Sequence, residues 1–278
     1  KMKKIRNLLR KKFPKINKIF KILRDDIDFR FSGWGMNLKH YSPWDTSSKN
    51  IVFSEFNKSH QKLLELVINK KFTINEFTLN MFSANEIQLL NDLRWRHYIV
   101  HFTASLAFSQ TNSKNIVECG VCDGMTAFFA INKFKSDKNY KAYLYDSWEA
   151  MKEEFLLNPS DKRRVGSYAN INIEDAKKNL IFYKDNIIFN KGFIPNIFTQ
   201  SNNPQHLSWL HIDLNSSMPT KESLKFFYPL LQSGGVILFD DYAGNGYEDT
   251  KVEVDNFLLD KKGQFLHIPT GQGFFIKQ

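Results

Sequence analysis

The stretch Asn115-Ile-Val-Glu-Cys-Gly-Val-Cys-Asp-Gly124 restricts the fold more than any other part of the chain. Ile116 and Val117 are apolar and β-branched, which suits a buried strand. Glu118 ends that strand, Gly120 and Gly124 shape a turn, and Met125-Thr-Ala-Phe128 opens a helix. Glycine lets the backbone approach a ligand that a Cβ would exclude. The helix start behind it offers unpaired N–H groups. A strand-end acid followed by such a turn is a nucleotide-binding arrangement, although the Gly-x-Gly-x-x-Gly dinucleotide fingerprint is absent. An ordinary strand-to-helix turn in some other α/β protein is the competing reading.

Downstream, strand and helix patterns alternate, which predicts a parallel sheet covered by helices. Strands are expected at 141–147, 186–192, 208–214 and 235–240, and a closing pair at 265–269 and 274–277. Helices are expected at 173–181, 220–231 and 250–259. The first five strands end in Glu118, Asp146, Asn190, Asp213 and Asp240-Asp241. Ligands of such sheets sit outside the carboxyl ends of the strands, so acids at four of five ends point to a site along that edge. Asp146 stands where an acid accepts hydrogen bonds from ribose hydroxyls.

Upstream, apolar spacing predicts a helix over 50–71. Ser83-Ala-Asn-Glu86 reads as a capping box that opens a second helix running to about Phe108. On it, Arg94-Trp-Arg-His-Tyr98 is expected on an exposed face, the alternative being the wall of an acceptor or cofactor cavity. Residues 25–48 are irregular and aromatic and suit a packed loop or hairpin.

The net charge of +10 suggests a nucleic-acid or membrane binder until its distribution is examined. Residues 1–24 hold eight Lys, three Arg and no acid, whereas the rest of the chain balances 28 basic against 29 acidic residues. A neutral body argues against a nucleic-acid groove. The tail has two apolar stripes, Ile5/Leu8/Leu9 and Ile16/Ile19/Phe20/Leu23, separated by Pro14. A basic amphipathic helix suits an anionic membrane face; a solvated arm or a homo-oligomer contact is the alternative. With no apolar run able to span a bilayer and no signal region, the expectation is a cytoplasmic protein, with peripheral contact to the inner membrane face through residues 1–24 as one option beside the solvated arm. Cys119 and Cys122 lack two further zinc ligands and read as core or turn residues in a reducing compartment.

Glu118-x-Gly120-x-x-x-Gly124 after a strand resembles motif I of class I S-adenosylmethionine (SAM) methyltransferases. Asp146-Ser-Trp-Glu149, His211-Ile-Asp213, Tyr228-Pro-Leu-Leu-Gln-Ser-Gly-Gly235 and Phe239-Asp-Asp-Tyr242 extend the likeness to the macrocin O-methyltransferase family of sugar-modifying enzymes, over about residues 86–278. The resemblance implies a Rossmann-like α/β fold with seven mostly parallel strands, a C-terminal antiparallel hairpin and an N-terminal helical extension. It divides the chain into the tail 1–24, an extension 25–85 and a methyltransferase domain 86–278. It implies a SAM site at Glu118, Gly120, Gly124, Asp146 and Ser147, and Mg²⁺ on Asp213, Asp240 and Asp241. Three carboxylates from two adjacent strand ends suit a hard cation. The family's Asp-x-Asp-x-Tyr-x-Ser-Thr is here Asp213-Leu-Asn215-Ser-Ser-Met-Pro-Thr220, so its second acid and its tyrosine are lost.

The activity implied is Mg²⁺-dependent methyl transfer to a sugar hydroxyl, the small-molecule or glycan acceptor being a nucleotide sugar or a surface-glycan precursor, with Asp213 as general base and His211 as the other choice. His211 and Asp213 share a strand face, though a lone His in an apolar strand is more often a core residue. Tyr242, the loop to Glu248 and Gln272 are expected to shape the acceptor site. Methylation of another small molecule or a phosphate-type oxygen, and a non-catalytic module in glycan assembly, are the competing functions.

Overall fold

The computed structural model of the chain describes residues 54–82, 85–244 and 246–278. The basic tail, the aromatic segment 25–48, the first residues of the helix expected from Asn50, and Ser83-Ala84 of the capping box lie outside the described residues.

Seven strands form one sheet: β1 (Asn115–Cys119), β2 (Lys141–Asp146), β3 (Ile187–Lys191), β4 (Leu207–Ile212), β5 (Leu231–Phe239), β6 (Gly263–His267) and β7 (Gly273–Lys277). Their order is β3-β2-β1-β4-β5-β7-β6. The first five are parallel, β7 runs antiparallel to β5, and β6 antiparallel to β7. This is the expected mostly parallel sheet with a closing hairpin. The parallel strands are near-continuous apolar runs because both faces are covered; every residue of β4 is buried. β5 starts four residues earlier than composition suggests. A register shift between Leu207 and Trp209 accommodates Gln232-Ser-Gly-Gly235 and keeps Leu231 paired with Leu207.

Among the described residues eight α-helices flank the sheet: α1 (Ser54–Ile68), α2 (Glu76–Phe82), α3 (Glu86–Asp92), α4 (Arg94–Gln110), α5 (Met125–Phe134), α6 (Ile173–Asn179), α7 (Ser217–Phe227) and α8 (Glu248–Leu258). Phe56 and Leu63 of α1, Ala104 of α4 and Phe128 and Phe129 of α5 pack with Trp209 and Val236 on one sheet face. Leu224 and Phe227 of α7 and Val254 of α8 pack with Val117, Leu210 and Phe239 on the other. The helix expected from 86 to 108 is two helices. Asn85 caps the first by accepting the Gln88 N–H at 2.9 Å, a role in which Asn equals Ser. The chain then breaks at Leu93, which lets Leu89, Leu90 and Leu93 face the core together with His97 and Val100 of the next helix.

Two buried histidines lie within the helix layer on this face of the sheet. The His97 ring stacks on Phe129 at 4.5 Å. Burial, with His60 and Arg96 nearby, pushes it down to about 3. Burial and the Arg94 charge push His60 down to about 4. In the unfolded chain both take a proton near 6.5, so below that pH the unfolded state binds more protons. Stability is therefore expected to fall as pH drops from 6.5, by up to about 1.4 kcal/mol per pH unit for each histidine. Thermal melts from pH 7 to 4.5 check this: wild type should lose Tm more steeply than His97→Leu, and equal slopes would contradict it.

Candidate active site

The sheet places its chemistry at the edge where the order of the strands reverses. Beyond the last paired residues the ladder runs on: Gly120 N–H donates to the Tyr145 carbonyl, Asp213 N–H to Cys119, Asp240 N–H to Ile212 and Gly192 N–H to Asp146. These bonds hold Gly192, Asp146, Gly120, Asp213 and Asp240 side by side. Gly120 has φ +88, and a Cβ there would sit 1.8 Å from the Asp213 carbonyl oxygen. The glycine is required first by the approach of β1 to β4. Gly124 (φ +86) precedes α5, and a Cβ on it would meet Leu180 at 2.9 Å.

Two cavities open on this edge. One is lined by Gly120, Asp146, Ser147, Phe155, Phe193 and Leu214, among others. The second is lined by Arg96, Asp123, Asp213, Asp240, Asp241 and Gln272, among others. Gly120, Cys122, Tyr168, Asp213 and Asn215 belong to both. A ligand in the first cavity therefore meets one in the second at the ends of β1 and β4.

Asp146 organises the first cavity. Its Oδ2 accepts the N–H groups of Val121 and Cys122, each at 2.8 Å, and its Oδ1 that of Trp148 at 2.7 Å. The expected ribose acid thus also pins the glycine turn. Each carboxylate oxygen keeps acceptor capacity for a hydroxyl. Ser147 lines the same cavity, with its hydroxyl donating to the Glu149 carbonyl at 3.1 Å. Asp146→Ala is expected to weaken S-adenosylhomocysteine (SAH) binding at least about tenfold, since a hydrogen bond to a charged group contributes roughly 1.5–3 kcal/mol. Calorimetric titration measures this, and unchanged affinity would remove the ribose assignment.

Glu118 lines neither cavity. It is buried, and its Oε1 lies 2.9 Å from His211 Nδ1 on the neighbouring strand; β1 and β4 pair these two residues in register. Burial raises the Glu118 carboxyl, and the His211 contact offsets part of that rise. Burial opposes the His211 charge, but Asp240 and Glu118 outweigh it and push the imidazole up to about 10.

The three aspartates expected to hold a metal line the second cavity together, in different environments. Asp240 Oδ2 is paired with Arg96, and its Oδ1 accepts Gln272 Nε2 at 2.7 Å. Despite burial, Arg96 and His211 hold this carboxyl well below the usual range. Asp241 Oδ2 accepts the Asn215 N–H at 3.0 Å, and burial with Asp240 beside it pushes the carboxyl up to about 6. Burial and its two acidic neighbours push Asp213 well up. Ligand atoms of His211, Asp213 and Asp240 all lie within 4.8 Å of one another, a set from which Asp241 is absent. The crowded carboxylates fit a divalent cation.

Arg96 belongs to this site and not to an exposed helix face. Its Nη1 donates to the Thr270 carbonyl at 2.8 Å and its Nη2 to that of Asp240 at 3.1 Å. Because β6 runs parallel to β5, the 270–273 turn falls on the active-site edge and brings Gln272 in. Tyr242 does not line the cavity. Its ring packs on Phe265, and its hydroxyl donates to Asp255 Oδ1 at 2.5 Å; the side chain after Asp241 turns into the core. Tyr247 of the same loop lines the cavity instead, donating to Asn215 Oδ1 at 2.7 Å. Asn215 Nδ2 donates to the Tyr168 hydroxyl at 3.0 Å. Sequence reasoning missed Tyr168 and reached Tyr247 only as a member of the 242–248 loop, since neither segment has a periodicity that shows which side chain turns inward. Cys119 and Cys122 are free, and burial raises both thiols, the opposite of a reactive thiolate.

A reversed parallel sheet with a closing antiparallel hairpin, a glycine turn after β1 and acids at the ends of β2, β4 and β5 is the fold of class I SAM-dependent methyltransferases. Residues 117–242 match the family model described as a methyltransferase domain. Among solved structures, the O-methyltransferase NovP superposes with a TM-score of 0.56 at 17% identity, over 66% of this chain and 79% of that one. TomG from Streptomyces achromogenes, an O-methyltransferase solved with SAM, is 13% identical over 83% and 94% with a TM-score of 0.49. CalS11, a TDP-rhamnose 3'-O-methyltransferase, is 16% identical over 81% and 95% with a TM-score of 0.46. No curated protein matches the chain. Among the described residues, no helix is long and apolar enough to cross a membrane.

Proposed function

We propose that the chain transfers the methyl group of SAM to a hydroxyl of a sugar, carried by a nucleotide sugar or a surface-glycan precursor, with Mg²⁺ held by Asp213, Asp240 and Asp241. The observation that supports this best is the shared wall of the two cavities, where Asp213 faces both. SAM supplies an electrophilic methyl carbon on a sulfonium. A divalent cation on the carboxylates would lower the pKa of the acceptor hydroxyl and fix its position.

The chain's own residues do the rest. Asp146 and the 120–124 turn hold the nucleoside end, leaving the methyl to face Asp213. Asp213 takes the hydroxyl proton onto a carboxylate oxygen as the acceptor oxygen attacks the methyl carbon and the carbon–sulfur bond breaks. Its raised affinity for a proton suits that role. Asn215, standing where the family has a second acid, cannot take a proton. It links Tyr168 and Tyr247 across the acceptor cavity instead.

Methyl-labelled SAM incubated with a panel of nucleotide sugars, in Mg²⁺ and in chelator, tests the reading. Label should reach a sugar only when the cation is present. Transfer that persists in chelator would remove the cation. Intact SAH binding with no labelled sugar would redirect the reading to another small molecule or a phosphate-type oxygen.

A further inference from the structure

Arg164 is buried, lines neither cavity and takes no part in the methyl transfer described above. A guanidinium leaves water at little cost only where its donors and its charge find partners. Here Nη2 donates to the Gly246 carbonyl at 3.1 Å and Nη1 to the Ser160 carbonyl at 3.2 Å. Nη1 also lies 3.7 Å from the buried Asp161 carboxylate. The guanidinium carbon stands 4.1 Å from the centre of the Tyr247 ring. Arg163 Nη2 donates to the same Gly246 carbonyl at 2.6 Å, and the Ser160 N–H donates to Asp249 Oδ2 at 3.2 Å. Residues 160–164 are thus fastened to residues 246–249.

The fastening segment belongs to a loop, 151–167, that contains no α-helix or strand. Its neck is closed, because the Met151 N–H donates to the Ser167 carbonyl and the Gly166 N–H to the Met151 carbonyl, each at 2.9 Å. A compact loop whose ends are tied together moves as one piece. Met151, Lys152, Phe155 and Leu156 line the first cavity. The same loop therefore forms a wall of the first cavity and holds Gly246–Asp249. Tyr247 lines the second cavity, and no residue from 246 to 249 lines the first.

From this geometry, and resting on SAM in the first cavity and the acceptor in the second, we propose that Arg164 is a positioning residue that passes cofactor occupancy on to the acceptor cavity. SAM gains its contacts with Met151, Phe155 and Leu156 only when the loop stands as a wall of the first cavity. A ligand shifts such an equilibrium by its differential affinity for the two states. Once the loop is held, Arg164 holds the Gly246 carbonyl and the Tyr247 ring. The acceptor cavity is then complete only in the cofactor-loaded chain. Linkage is reciprocal, so acceptor binding tightens SAM by the same factor, typically about 5–150-fold.

SAH alone, added to saturation to the full chain, is the probe, and amide hydrogen exchange read by mass spectrometry is the measurement. SAH should slow exchange at the 120–124 turn, and at residues 246–249 by about fivefold or more. Arg164→Ala should keep the protection of the turn and lose that of 246–249. An arginine with a merely structural role would, on removal, speed exchange there equally with and without SAH and leave the ratio unchanged. The wild-type ratio carries the test even where Arg164→Ala fails to fold. Protection of the turn without protection of 246–249 would overturn the inference and leave the cofactor site standing. Protection of 246–249 that survives in Arg164→Ala would overturn it as well. No protection at either place would overturn both the inference and the SAM site.

Discussion

Asp213→Ala is expected to abolish methyl transfer while leaving the fold intact. The residue lies where the two cavities meet and takes the proton in the proposed mechanism, so its loss should lower turnover on the order of 10²–10⁴-fold from the base alone. Loss of a cation ligand would add to that. Stability should move the other way. Burial and the charges of Asp240 and Asp241 all work against the ionised Asp213 carboxylate, and removing a crowded buried charge relieves that repulsion. A melt at neutral pH should show Tm unchanged or raised, and labelled SAM should show no product. Retained turnover would exclude Asp213 as base. A collapsed Tm would mean that the aspartate serves the fold.

Gly120→Ala is expected to be the most damaging single-atom change in the sheet. The added Cβ would lie 1.8 Å from the Asp213 carbonyl oxygen, on a backbone with φ +88. The obstacle is backbone, and it is held in place because the Asp213 N–H donates to the Cys119 carbonyl at 2.8 Å. Strain at a positive φ and the separation of β1 from β4 should together cost about 3–5 kcal/mol. For a domain of this size that lowers Tm by on the order of 10 °C. Gly166 is the control: its φ is +80, but nothing lies within 4 Å of the added atom. Gly166→Ala should carry only the conformational cost, about 1 kcal/mol. Equal melting shifts for the two variants would mean that the close approach at Gly120 relaxes easily.

The sheet was legible because parallel strands buried on both faces are short apolar runs closed by a polar residue, and β1, β2 and β4 have that form. The gathering of Asp146, Asp213 and Asp240 at one edge followed, since parallel strands bring their carboxyl ends together whatever the loops do. Contacts across the sequence were not legible. Arg96 reaches Asp240 over 144 positions, and a helical period cannot tell an arginine facing solvent from one facing an acid. Glu118 reads as a cofactor acid until strand pairing sets it beside His211. Tyr242 and Tyr247 illustrate the same limit within one loop. The first turns into the core and the second into the cavity, because the path of the chain between them is set by tertiary contacts such as Arg163 and Arg164 on the Gly246 carbonyl.

Calorimetric titration of the full chain with SAH, followed by nucleotide sugars added to the SAH complex with and without a divalent cation, tests the central claim most directly. One SAH site that depends on Asp146 is expected, with sugar binding that appears only once the cation is present. Absence of SAH binding would contradict the claim at its base, and this sheet edge would then serve another ligand.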